Sequence, residues 1–209
     1  KLLADDADAD LEDEPTLDGV IADRVARLTA YQDAAYAQQY GNLLAHVRQA
    51  ESNVARGRDA LTRAVARYLF KVMAYKDEYE VARMYTDGVF EKALAEQFEP
   101  GYTLSFHMAP PWLAGKDPST GLPAKREFGP WMMSVLKLIA SMKGLRGGGF
   151  DVFGLTQERR MERRIRDDYT TLIKRVAGEL TAENYDIAVE LAEVPERIRG
   201  YGHVKRAHL

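Results

Sequence analysis

The sequence predicts a mainly helical protein with a small β element around residues 102–128. Three observations lead there. Apolar residues recur at helical spacing on both sides of the middle of the chain. Six of the eight prolines gather between Pro100 and Pro130. Inside that stretch Tyr102, Leu104, Phe106 and Met108 alternate with Thr103, Ser105 and His107, the period of a strand with one buried face. Residues 1–15 read as an acidic linker and residues 16–209 as a single helical module.

The first helix starts at Thr16, a good N-cap ahead of Leu17 and Asp18. Its stripe runs through Ile21, Val25, Leu28, Tyr31, Tyr36, Tyr40, Leu43, Leu44, Val47 and Val54. One unbroken helix to Val54 would be about 57 Å long, against a radius of gyration of about 17 Å for a compact chain of this size. A break is therefore expected, and Gly41–Asn42 is the weakest point by propensity. Arg56–Asp59 reads as a turn. Leu61, Val65, Tyr68, Leu69, Val72 and Met73 renew the stripe, and YKDEYEVARMYTD continues it with Lys76 and Glu80 at i,i+4. Asp87–Gly88 opens a short helix that ends before Pro100. Ala124–Phe128 is the candidate partner strand, and Asp117–Gly121 a turn. Pro130 then starts a helix with the stripe Trp131, Val135, Leu138, Met142 and Leu145. Thr156 caps a long helix bearing Met161, Ile165, Tyr169, Leu172, Val176 and Leu180. Thr181 caps the last, through Ile187 and Leu191 to Val194, where Pro195 interrupts it.

Composition excludes several functions. The chain has no cysteine, so disulfides and thiolate metal sites are ruled out, in keeping with a reducing cytoplasm. No apolar run reaches the ~18–20 residues of a membrane span, and no leader pattern is present. The net charge of −3 is uneven: Lys1–Glu14 carries seven acids against Lys1, and the remainder is about +3. A body so close to neutral lacks the electrostatic footprint of a nucleic-acid binder. The four histidines, His46, His107, His203 and His208, show no metal-ligand spacing. No nucleophile elbow or phosphate-binding loop occurs, so no catalytic, cofactor-binding or metal residue is assigned.

Six strings carry a more specific signal. They are Lys71–Asp87 (KVMAYKDEYEVARMYTD), Phe106–Pro111 (FHMAPP), Lys125–Trp131 (KREFGPW), Phe150–Gly154 (FDVFG), Glu158–Arg164 (ERRMERR) and Ile198–Lys205 (IRGYGHVK). In this order the chain from about Thr16 to Leu209 resembles the C-terminal region of fused bacterial indolepyruvate ferredoxin oxidoreductases, members of the 2-oxoacid:ferredoxin oxidoreductase family. The resemblance implies a module of a larger cytoplasmic enzyme. The whole enzyme would decarboxylate aryl 2-oxoacids oxidatively, form acyl-coenzyme A and reduce ferredoxin. Thiamine diphosphate, magnesium and iron–sulfur clusters would lie in its other domains, since a chain without cysteine cannot ligate such clusters by thiolates. The expected role here is structural, in assembly with those domains.

An alternative of another class is an anion site for coenzyme A or a 2-oxoacid, with Lys76, Arg126, Arg159, Arg160 and His203 as contacts. Arg159 and Arg160 follow Thr156 directly, where the helix dipole disfavours cations. They either pair with acids on neighbouring helices or reach an outside partner. On the same helix Glu162 with Arg166, Arg163 with Asp167 and Arg164 with Asp168 have pairing distance. Trp112, Phe128 and Trp131 either pack on the module's own helices or form a docking face.

Overall fold

A computed structural model describes residues 16–109, 115 and 124–198. In chain order the elements are α1 (Leu17–Tyr31), α2 (Ala34–Val54), α3 (Ala60–Met73), α4 (Glu78–Thr86), α5 (Val89–Gln97), β1 (Phe106–Met108), β2 (Arg126–Phe128), α6 (Met132–Ser141), α7 (Gln157–Gly178) and α8 (Tyr185–Ala192). Short 3₁₀ turns follow α6 at Lys143–Leu145 and α8 at Val194–Arg197. The fold is mainly helical with one two-stranded antiparallel sheet. The acidic segment 1–15, Trp112, the Asp117–Gly121 turn, His203 and His208 lie outside the described residues. Among the described residues no helix is long and apolar enough to cross a membrane.

The span expected to form one module comprises two compact units, one made of residues up to Tyr75 with those from Leu155 onward, the other of residues 76–154. In the first, α3 is the hub, packing against α1, α2, α7 and α8. Its stripe is buried as the spacing predicts, with Leu61, Val65 and Leu69 meeting Leu28, Tyr40, Val47 and Ile173. Tyrosines give this core its polar order. Tyr36 donates to the Met73 carbonyl at 3.0 Å and Tyr31 to that of Tyr75 at 2.9 Å, satisfying acceptors that the end of α3 leaves open. Tyr40 donates to Ala66 O at 3.0 Å and Tyr169 to Ala192 O at 2.7 Å. Burial pushes the phenols of Tyr40 and Tyr169 well above the usual tyrosine range.

The second unit pairs α4 with α6 and adds the hairpin, in the register Phe106↔Phe128, His107↔Glu127 and Met108↔Arg126. Its small core is Ala82, Phe106, Met132 and Leu136, with the Tyr85 ring edge-on to Phe106 and to Phe90.

Five sequence expectations are corrected. The long N-terminal stripe breaks at Gln32–Asp33, and Gly41 lies inside α2. The Asp33 side chain accepts from Tyr36 N at 2.7 Å, so a new N-cap outweighs the weak helix propensity of one glycine. The run beyond Met73 is likewise interrupted, because Asp77 caps α4 and leaves Lys76 ahead of the helix; Glu80 pairs with Arg83 at 2.7 Å. On α6 the buried face is centred on Met132 and Leu136, one step from the expected stripe, which leaves Trp131 and Leu138 exposed. On α8 the buried residues are Tyr185, Ala188 and Ala192, and Ile187 and Leu191 face outward. Thr181 and Asn184 exchange hydrogen bonds at 2.8 and 3.3 Å, but they close a turn and the helix starts at Tyr185.

Candidate functional site

Three segments of the second unit converge on one buried polar cluster. Two are recognition strings, Lys71–Asp87 and Phe150–Gly154, and the third is the glycine-rich connector after α6. Asp77 contributes from the start of α4, accepting from Glu80 N at 2.8 Å as a helix cap. The same carboxylate receives a two-pronged bond from Arg146, Nε to Oδ2 at 2.5 Å and Nη2 to Oδ1 at 2.8 Å. Both side chains are buried. A guanidinium–carboxylate fork is among the strongest polar contacts, and its geometry has to be good because desolvating the two charges is costly.

Asp151 makes the second half. It accepts from Gly147 N at 2.7 Å, Gly154 N at 2.9 Å and the Tyr79 hydroxyl at 3.1 Å. Gly147 has φ of 74°, a left-handed turn that brings its N–H onto the carboxylate. The Tyr79 ring lies between the halves, with the Arg146 guanidinium 5.4 Å from its centroid and Phe153 edge-on at 5.0 Å. Burial, then the charge and hydrogen bond of Asp151, hold the Tyr79 phenol above the ordinary tyrosine range. Each carboxylate is engaged by at least three donors. The cluster fastens the connector and the FDVFG string to α4.

A second buried acid orders the other unit. Glu51, on α2, accepts from Leu61 N at 2.8 Å, Thr62 N at 3.0 Å, the Thr62 hydroxyl and the Tyr185 hydroxyl at 2.5 Å. It caps α3 from outside, where Asp59, the residue at the N-cap, makes no capping bond and instead meets Arg63 at 2.9 Å. Burial, then Glu51, push the Tyr185 phenol up.

The residues expected as anion contacts do not form one described constellation. Arg126 is exposed on β2 opposite Met108, and Lys76 precedes α4. Arg160 turns back, donating from Nε and Nη2 to Leu155 O at 3.1 and 2.7 Å. That upstream carbonyl answers the cation at the positive end of α7. Arg159 gives its backbone N–H to the Thr156 cap at 3.3 Å. Arg164 meets Asp168 at 3.5 Å as its spacing predicts, while Arg166 meets Asp167 at 2.7 Å.

Neither Asp77–Arg146 nor Glu51 is singled out by sequence spacing. Glu51 does carry a signal, a lone acid at an apolar stripe position between Val47 and Val54. Asp77 carries the ordinary sign of an N-cap, with a glutamate three residues on. For metals the donor set is poor: the chain has no cysteine, and among the described residues no three His, Asp or Glu side chains group to hold an ion.

A family model, that of a family of unknown function (DUF6537), matches residues 17–209. No curated protein and no solved structure matches the chain.

Proposed function

We propose that this chain, which belongs to the DUF6537 family across residues 17–209, is a C-terminal assembly module of an indolepyruvate-type 2-oxoacid:ferredoxin oxidoreductase. The ordered likeness of the six strings supports the link to that enzyme. One observation carries the assembly role. In the FDVFG string Asp151 and Phe153 turn inward to the buried cluster, while Phe150 and Val152 stand 82% and 62% exposed. Two apolar side chains are thus held outward on a base fixed by charged hydrogen bonds. Such a feature loses little freedom when a partner covers it.

In this reading the cofactor chemistry belongs to the rest of the enzyme. Thiamine diphosphate, magnesium and the iron–sulfur clusters act there, as do ferredoxin and coenzyme A, in a cytoplasmic assembly. The module's polar residues maintain shape, and its outward apolar residues make the contact.

The test is to purify the chain and combine it with the cofactor-bearing remainder of an indolepyruvate-type enzyme. Native mass spectrometry and indolepyruvate-dependent ferredoxin reduction are the two readouts. The chain alone is expected to show no turnover. The mixture should form a defined complex that is more active than the remainder alone, and Phe150→Ser with Val152→Ser should weaken it about tenfold or more. Failure of the two parts to associate, or activity indifferent to the chain, would defeat the proposal. Calorimetric binding of coenzyme A by the chain, lost on Arg159→Ala, would replace it with an anion-site function.

A further inference from the structure

The outer face of α8 has an unusual order. On α8 Ile187 and Leu191, at i and i+4, are 60% and 38% exposed, and Val194, in the 3₁₀ turn that follows the helix, is 48% exposed. The i,i+4 pair lies on one face of α8, the pattern by which a helix offers anchors to another helix, and Val194 adds an exposed apolar group just beyond the helix end. One residue behind each stands an acid. Asp186, Glu190 and Glu193 form a second exposed row along the same flank. Glu183 and Glu196 extend the acidity at either end, and the segment 181–198 contains a single base, Arg197. Arg58 answers Asp186 at 2.8 Å and Lys71 donates to the Pro195 carbonyl at 2.9 Å, which leaves a local charge of about −2. The chain beyond Pro15 is about +3 as a whole, so this face is locally opposite in sign to the chain's balance.

We propose that this face is a docking surface for an amphipathic basic helix of a partner protein, with an apolar row seated on Ile187, Leu191 and Val194 and lysine or arginine beside it. Charge decides among the occupants an apolar stripe could have. A second copy docking through the same patch would bring two negative surfaces together, an isologous contact that like charge opposes. An anionic membrane surface attracts basic segments and would be repelled here. Nucleic acid is excluded by the same sign. A basic helix satisfies both rows at once, and charge complementarity speeds its approach and fixes its register. The inference does not depend on the oxidoreductase reading, because it rests on this face alone.

The experiment is fluorescence polarisation of the full chain with a labelled synthetic helical peptide. The peptide carries leucines at i, i+4 and i+7 with lysines alongside, and its twin has glutamate in place of each lysine. The basic peptide should bind saturably and more weakly as salt rises, and the acidic twin should not bind. Leu191→Asp and, separately, Ile187→Asp should each weaken binding about tenfold or more. Glu190→Lys with Glu193→Lys should lower affinity and flatten the salt dependence. These positions are exposed, so unchanged helical circular dichroism and melting confirm that each variant is folded. Absence of saturable binding, equal binding of the two peptides, or affinity retained in both apolar variants would overturn the proposal. So would a concentration-dependent dimer that Leu191→Asp abolishes, because the occupant would then be a second copy.

Discussion

Glu51 stands in the apolar stripe of α2 and performs the capping that Asp59 leaves undone. Its carboxylate holds two backbone N–H groups of α3, the Thr62 hydroxyl and the Tyr185 hydroxyl of α8. Removing it strands four buried donors together, so Glu51→Ala should cost about 3–5 kcal/mol, the range for breaking a buried charged network. Asp59→Ala removes only a surface pair with Arg63 and should cost about 1 kcal/mol or less. Urea unfolding with a common m-value measures both. Equal losses would show that the α3 cap is local after all. Thr16 and Thr156 were legible as caps because their partners, Gly19 N and Arg159 N, lie three residues away. Glu51 was not legible as a cap because its partners lie ten, eleven and 134 residues on, and local spacing carries no record of them.

Elements show the same division between local and distant causes. The stripe of α3 was readable because that helix is covered on several sides, and any large apolar residue on it finds a neighbour. On α6 and α8 Leu138, Ile187 and Leu191 turn outward, while Met132, Leu136, Tyr185, Ala188 and Ala192 turn inward. Apolar spacing suggested the wrong face because close packing against neighbours, not the presence of apolar residues alone, selects which side turns inward. The first strand was readable from period-two alternation and Ala124–Phe128 as its candidate partner, although only three residues of each pair. The clamp that ties α4 to the connector was hidden, since Asp77 and Arg146 are 69 residues apart. It can be tested as a coupled pair. Asp77→Ala and Arg146→Ala should each cost about 3–5 kcal/mol by leaving the other charge buried. The double variant should cost clearly less than their sum, with a coupling of about 1 kcal/mol or more in a double-mutant cycle. Strict additivity would mean that the two charges do not sense each other.

At the scale of the whole molecule, the α7–α8 segment returns to the same unit as α1, α2 and α3 after the excursion of residues 76–154. Helical periodicity carries no sign of such a return. Yet the two cores share no member. One is built from residues of α1, α2, α3, α7 and α8 and their margins, the other from α4, the hairpin and α6. The clamp also closes the excursion on itself: Tyr79 bonds Asp151, so its two ends are held near each other four residues inside each boundary. Residues 76–154 should therefore be removable. A Gly-Ser linker of about twelve residues, up to ~40 Å when extended, would replace them. The shortened chain should keep its helical circular dichroism, and the Tyr185 hydroxyl should stay sequestered by Glu51. It should unfold in one cooperative transition, because every residue of its core is still present. Loss of that transition, with tyrosine fluorescence shifted to that of an exposed phenol, would show that the first unit draws its stability from the second. Melting of residues 76–154 alone supplies the converse. A folded fragment that Arg146→Ala unfolds would place the closure of this unit on the Asp77–Arg146 pair, whereas a fragment indifferent to that change would place it on the α4–α6 packing.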